Sequence, residues 1–175
     1  CLLPGIYGQT RLDHAGSASD HIVWLGPDAA RRAGFAVPLN GHAIFERVGV
    51  SAPFQWIEGL HFDWNQARPD SVIRGGLKAT SSAATDIIVA GNRFDGYAYS
   101  IWLDPDADRW IISDNTIVGR KDIELEGSIA YSGEGIELQH SSGHTVAHNT
   151  ISQVADGISY ATRNCDIFGN DIFDT

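Results

Sequence analysis

In the second half of the chain, apolar residues fall at alternate positions in short runs, and each run closes the same way: an Asn, one polar residue, then another apolar residue. The runs are Ile87 to Phe94 around Asn92, Trp110 to Ile117 around Asn115, His144 to Ile151 around Asn149, and Cys165 to Ile172 around Asn170. An earlier copy, Gln55 to Phe62, has Leu60 where the others have Asn. Successive asparagines are 23, 34 and 21 residues apart. That is a period of about 22 with one insertion, which marks a solenoid. A second motif recurs between the asparagines: Ser100-Ile-Trp-Leu103, Gly135-Ile-Glu-Leu138 and Gly157-Ile-Ser-Tyr160. Each repeat therefore predicts a strand, a tight turn at the Asn, a short strand, a loop, a strand and a loop. The runs are too short for ordinary helices, and nothing from Asp86 onward has a 3.6-residue period.

Asn adopts the left-handed backbone conformation more readily than most residues, so the bend is expected at the Asn itself. Coils stacked about 4.8 Å apart bring successive Asn amides within hydrogen-bonding reach and pin the register. Only one or two inward positions follow each Asn before the chain turns again, which fits a coil and not a hairpin. Aligning the repeats predicts inward columns: Gln55, Ile87, Trp110, His144, Cys165; then Ile57, Val89, Ile112, Val146, Ile167; then Phe62, Phe94, Ile117, Ile151, Ile172. The strand after the loop adds Ile101, Ile136 and Ile158, with Leu103, Leu138 and Tyr160.

The Asn repeats, the Gly-Ile strands and the opening Leu3-Pro-Gly-Ile-Tyr7 resemble the right-handed parallel β-helix repeat proteins of the pectate-lyase-like superfamily. The resemblance holds from about Pro53 onward, is looser before it, and speaks to fold more than to chemistry. It implies an all-β chain: a single-stranded, right-handed parallel β-helix with coils of about 22 residues and an Asn ladder. It also implies an extracytoplasmic, bacterial, carbohydrate-active protein whose polysaccharide groove runs over the sheet carrying the Gly-Ile strands.

The chain of 175 residues is one domain's worth and has apolar content enough for a continuous core. Its formal charge of −10, with two lysines and ten arginines scattered along it, argues against a nucleic-acid partner. No apolar run reaches the length of a membrane-spanning helix. The absence of Met, and an end just short of another expected strand, predict that residues 1–175 are a piece of a longer solenoid lacking its end caps. Cys165 falls in an inward column and Cys1 lies many coils away, so no disulfide between them is expected.

On the expected groove strand Trp102, Glu137 and Ser159 should face outward, followed by Asp104, Gln139 and Ala161. A Trp beside a carboxylate suits a sugar site, the indole packing on a pyranose while the carboxylate does acid or base work. Asp104 and Glu137 come out about 8 Å apart from strand spacings, compatible with an inverting pair of carboxyls. His140, at the groove edge, is a candidate base. Arg163, in the equivalent loop, is a candidate to neutralise a uronate or take its proton. The insertion from Val118 to Gly133 would wall the groove and offers Arg120 and Lys121 as substrate contacts. Asp104, Asp106 and Asp108 offer hard oxygen ligands for calcium, although the run fails as an EF-hand, with Arg109 where Gly is needed. His140, His144 and His148 do not make a three-His metal site, because the strand pattern puts His144 inward and the other two at turns. Polygalacturonase motifs and the arginine pattern of pectate lyases are missing. Three readings stay open: lyase-type elimination on an acidic polysaccharide, a non-catalytic glycan-binding or structural solenoid, and an inverting hydrolase.

Overall fold

The computed structural model describes residues 1–37, 41–64, 75–103, 106–120, 133–160 and 163–175. The strands wind as a right-handed parallel β-helix with three faces. The first face stacks β2 (Ile22–Leu25), β4 (Gln55–Glu58), β7 (Ile88–Ala90), β10 (Ile111–Ser113), β13 (Thr145–Ala147) and β16 (Asp166–Phe168). The second stacks β5 (His61–Asp63), β8 (Arg93–Asp95), β11 (Thr116–Val118), β14 (Thr150–Ser152) and β17 (Asp171–Phe173). The third stacks β6 (Gly75–Ala79), β9 (Tyr99–Trp102), β12 (Glu134–Glu137) and β15 (Asp156–Ser159). All the described pairings are parallel, as the repeat predicts.

The two leading strands differ from the rest. β1 (Gly5–Leu12) pairs along its length with β3 (Ala43–Val50). The first half of β3 pairs with β5 on the second face and its second half with β6 on the third. One long strand thus serves two faces before the chain divides them between separate short strands.

The expected columns are present and keep their register into the last coil, where Ile167 and Ile172 are exposed instead of buried. Ile57, Val89, Ile112 and Val146 are fully buried in register, as are Phe62, Phe94, Ile117 and Ile151. The second column extends further back than the sequence pattern indicates, through Phe45 to Tyr7. Its rings stack coil on coil, Tyr7 on Phe45 at 4.8 Å and Phe62 on Phe94 at 4.4 Å. Tyr160 departs from its column: it is exposed, and its backbone is left-handed, unlike those of Leu103 and Leu138.

The asparagines form the ladder, but they do not make the bend. The left-handed residue is the one before each ladder position: Gly59, Gly91, Asp114, His148 and Gly169. A second set, Phe54, Asp86, Arg109, Gly143 and Asn164, turns the chain into the first-face strands. The Asn side chain instead closes hydrogen bonds in both axial directions. Asn92, Asn115, Asn149 and Asn170 each donate Nδ2–H to a carbonyl of the coil before, at Ile57, Val89, Ile112 and Val146. Each Oδ1 that is bonded accepts from that coil as well: Asn115 from the backbone N–H and Nδ2–H of Asn92, Asn149 from those of Asn115, and Asn170 from those of Asn149. The ladder begins at Leu60, whose backbone N–H donates to Asn92 Oδ1. In the preceding coil the short helix α1 (Pro27–Arg32) follows β2 where the later coils turn tightly into a ladder position. Ala29 of α1 presses so close to Gly59 that a Cβ on Gly59 would come within 2.8 Å of it.

Candidate functional site

The outer side of the third face carries two rows. Lys78, Trp102, Glu137 and Ser159 are in register across β6, β9, β12 and β15. Gly75, Tyr99, Glu134 and Asp156 are in register three residues earlier on the same strands. Simple alternation would put Tyr99 and Glu134 inside with Ile101 and Ile136, but the structure puts them outside. Between the two outer rows stand two consecutive inward residues. The first of each pair is small because the corner is crowded: a Cβ on Gly135 would meet Ile151 Cγ2 at 2.7 Å. That corner reverses the alternation.

Trp102 stacks on Tyr99 with ring centroids 5.2 Å apart, and the Lys78 ammonium lies 3.3 Å from the centre of the Trp102 ring. The Trp102 Nε1–H is buried with no acceptor among the described residues. Glu137 is only 5 % exposed, so the carboxylate expected on an open surface is largely covered. The Ser159 hydroxyl donates to Glu134. Burial pushes the Glu134 carboxyl above the usual range, the Ser159 hydrogen bond opposes this in part, and the negative charge of Asp156 adds to it. The sequence reading passed over Glu134, Tyr99 and Asp156. The signal that would have found them is the column of small residues Gly76, Ser100, Gly135 and Gly157.

The remaining candidates are more dispersed. Gln139 is half-buried, and His140 is exposed in a left-handed turn just after β12. Arg163 is exposed in the corner before β16, its carbonyl accepting from Gly143 N–H at 3.1 Å. Asp106 is exposed with a left-handed backbone, and Asp108 Oδ1 accepts from the N–H and Oγ–H of Ser142. Asp104 and Lys121 lie outside the described residues, as does the acidic strand expected within the insertion. Arg120 lines a cleft of about 530 Å³ with Asp63 and Asp95, at the corner where the chain leaves the second face. Both cysteines are free thiols.

That corner holds a cluster the sequence pattern did not single out. His61 Nε2 lies 2.6 Å from Asp95 Oδ2 and 3.9 Å from Asp63 Oδ2, all three side chains being mostly buried. One ligand atom from each falls within 4.8 Å of the others. His42 stands edge-on to His61, ring centroids 5.6 Å apart. Burial raises the Asp95 carboxyl, but hydrogen bonds from His61 and Arg93 outweigh it and hold Asp95 below the usual carboxylate range. His61, Asp63, Arg93 and Asp95 are in register on adjacent strands β5 and β8, yet they are 30 or more positions apart in sequence except within each strand, so no local motif announces them.

Three faces of short parallel strands, a continuous amide ladder and columns of stacked core residues define a parallel β-helix solenoid. Residues 57–175 match the family described as periplasmic copper-binding protein (NosD), and the chain belongs to that family. It is thereby a periplasmic β-helix protein. No curated protein and no solved structure matches it significantly.

Proposed function

We propose that the third face binds a polysaccharide, in the manner expected of the pectate-lyase-like superfamily. The observation that carries this reading is the paired outer rows, in which Tyr99 and Trp102 adjoin Glu134 and Glu137 on the next coil. Aromatic surface packs on sugar rings, and buried polar groups fix the hydroxyls. A carboxyl that holds its proton to higher pH, as Glu134 does, suits a general acid. Glu137, three residues further along the same strand in the adjoining row, is the candidate counterpart carboxyl. His140 and Arg163 remain candidates for a base at the edge, and Gln139 and Ser159 for hydroxyl contacts. The test is titration calorimetry with uronate and neutral oligosaccharides, combined with turnover assays. Trp102→Ala should weaken binding about tenfold, the loss of one well-packed aromatic contact. Glu134→Gln should abolish any turnover while leaving binding in place. Binding without turnover would assign the protein as a glycan-holding solenoid, and failure of every oligosaccharide to bind would overturn the reading.

A second reading is favoured by the cluster at His61, Asp63 and Asp95 together with the family's description. An imidazole and two carboxylates are a donor set that suits divalent copper, and the imidazole makes it a poor calcium site. When bound there, copper would add positive charge among the carboxylates and replace the proton that His61 and Asp95 now share. Asp104, Asp106 and Asp108 remain the calcium candidates. Copper(II) titrated into the protein should give a paramagnetic resonance spectrum with nitrogen coupling that disappears in His61→Ala. An unchanged spectrum in that variant would place the copper elsewhere.

A further inference from the structure

We infer that Arg11 and Arg47 form an anion-binding subsite at the head of the third face, which makes the ligand proposed for that face a polyanion; the inference rests on that reading of the face. Arg11 is in register with Gly49, Gly49 with Lys78, and Lys78 with Trp102. The row of outer residues therefore continues three rungs, about 14 Å, beyond Trp102 to Arg11. At Gly49 the row has no side chain, and a cleft of about 400 Å³ opens there, lined by Gln9, Thr10, Arg11, Arg47, Gly49 and Thr80. A Cβ at Gly49 would come within 3.2 Å of Thr80 Cγ2 and begin to fill it.

Among the described residues, this cleft brings two guanidinium groups together without a carboxylate partner for either. Arg31, Arg32, Arg93 and Arg109 each pair with a carboxylate, namely Asp28, Glu58, Asp95 and Asp86. Arg47 is half-buried, and its side chain makes no hydrogen bond or ion pair among the described residues. Arg11 donates only its Nε–H, to Ser51 Oγ at 3.3 Å. The neighbouring carboxylate, Glu46, is itself buried and accepts from Gln9 Nε2 at 3.0 Å. In a chain of net charge −10, two guanidinium groups without carboxylates in one cleft mark a place for an external anion. A planar fork of N–H donors fits a sugar carboxylate or a sulfate ester equally well. Along the row the character then runs from cationic at Arg11, Arg47 and Lys78, through aromatic at Tyr99 and Trp102, to acidic at Glu134, Glu137 and Asp156. An acidic chain would anchor at the first end and present a sugar linkage to the carboxyls at the other.

The test is calorimetric titration of the protein with galacturonate oligomers, sulfated glycosaminoglycan oligomers and neutral cello-oligomers of matched length. The expected result is that one acidic series binds at least about tenfold tighter than the neutral one, and that Arg47→Gln and Arg11→Gln each remove about tenfold of that affinity. Neither variant should change neutral binding, and Arg47→Lys should recover only part of the loss. Whichever acidic series responds to the substitutions identifies the anion as carboxylate or sulfate. Because Arg11 is exposed, its replacement tests the subsite even if Arg47→Gln disturbs folding. Equal affinity for acidic and neutral oligomers, or an acidic preference that survives both substitutions, would overturn the subsite and leave the third-face reading standing. Arginine-dependent binding that ignores Trp102→Ala would keep the subsite and remove the third face as the path of the sugar chain. No binding of any oligomer would overturn both.

Discussion

His144 shows how much a single position can owe to its column. It sits between Trp110 and Cys165 in the stack that begins at Gln55, and it is 1 % exposed. Both ring nitrogens are used: Nδ1 accepts from Trp110 N–H, and Nε2 bonds Ser141 Oγ at 2.8 Å. Burial lowers its value from 6.5 to about 4. The folded protein therefore binds fewer protons than the unfolded chain between those values. The stability His144 contributes is complete above about pH 6.5 and is lost as pH falls towards 4, amounting to about 3 kcal/mol. Urea midpoints at pH 7 and pH 4.5 should therefore differ more in the native protein than in His144→Gln; an equal drop in both would refute this account. The inward placement of His144, and the turns at His140 and His148, could be read from alternation alone. The residue that makes each bend could not. Asn has the conformational tolerance, but the two hydrogen bonds its amide makes along the axis require it to face inward just after the bend, and Gly91, Asp114, His148 or Gly169 takes the strain instead.

Among elements, the amide ladder is the part whose removal should be felt most. Asn115→Ala would leave the N–H and Nδ2–H of Asn92 and the carbonyl of Val89 without their partners in a region closed to water. At about 1–3 kcal/mol for each orphaned group, the loss should exceed about 3 kcal/mol. Asn170→Ala, at a partly open coil, should cost less by about 2 kcal/mol, since water can replace some of the bonds. Chemical denaturation of the two variants checks the ordering, and equal losses would show that the ladder does not act through burial. The strands of the first two faces were legible because each carries one clear inward residue beside a repeated Asn. On the third face, alternation correctly placed Trp102, Glu137 and Ser159 in one row. It misplaced Tyr99 and Glu134, because two consecutive inward residues at the corner shift the phase. The cluster of His61, Asp63 and Asp95 escaped for a different reason, since it assembles only when β5 and β8 stack.

For the whole molecule, the difference between the legible and illegible parts follows the coil geometry. From Pro53 onward every turn of the solenoid repeats one short pattern, so the sequence repeats too. Before it, β1 and β3 run across a corner as single strands, and α1 replaces the Asn turn, so the same three-faced core is built without the repeating letters. The Tyr7 and Phe45 rings nevertheless continue the column that ends in isoleucines. The unequal spacing of the ladder has a mechanical consequence. The hydrogen bonds between coils lie along the axis, so tension applied to the two ends of the chain loads them one coil after another, peeling instead of shearing. Each coil released yields its own length of slack. Intervals of 23, 34 and 21 residues correspond to on the order of 80, 120 and 75 Å of extended chain. The coil between Asn115 and Asn149 and the 32-residue coil from Leu60 to Asn92 thus stamp two oversized steps on the extension record, and their order in the series tells from which end the solenoid comes undone.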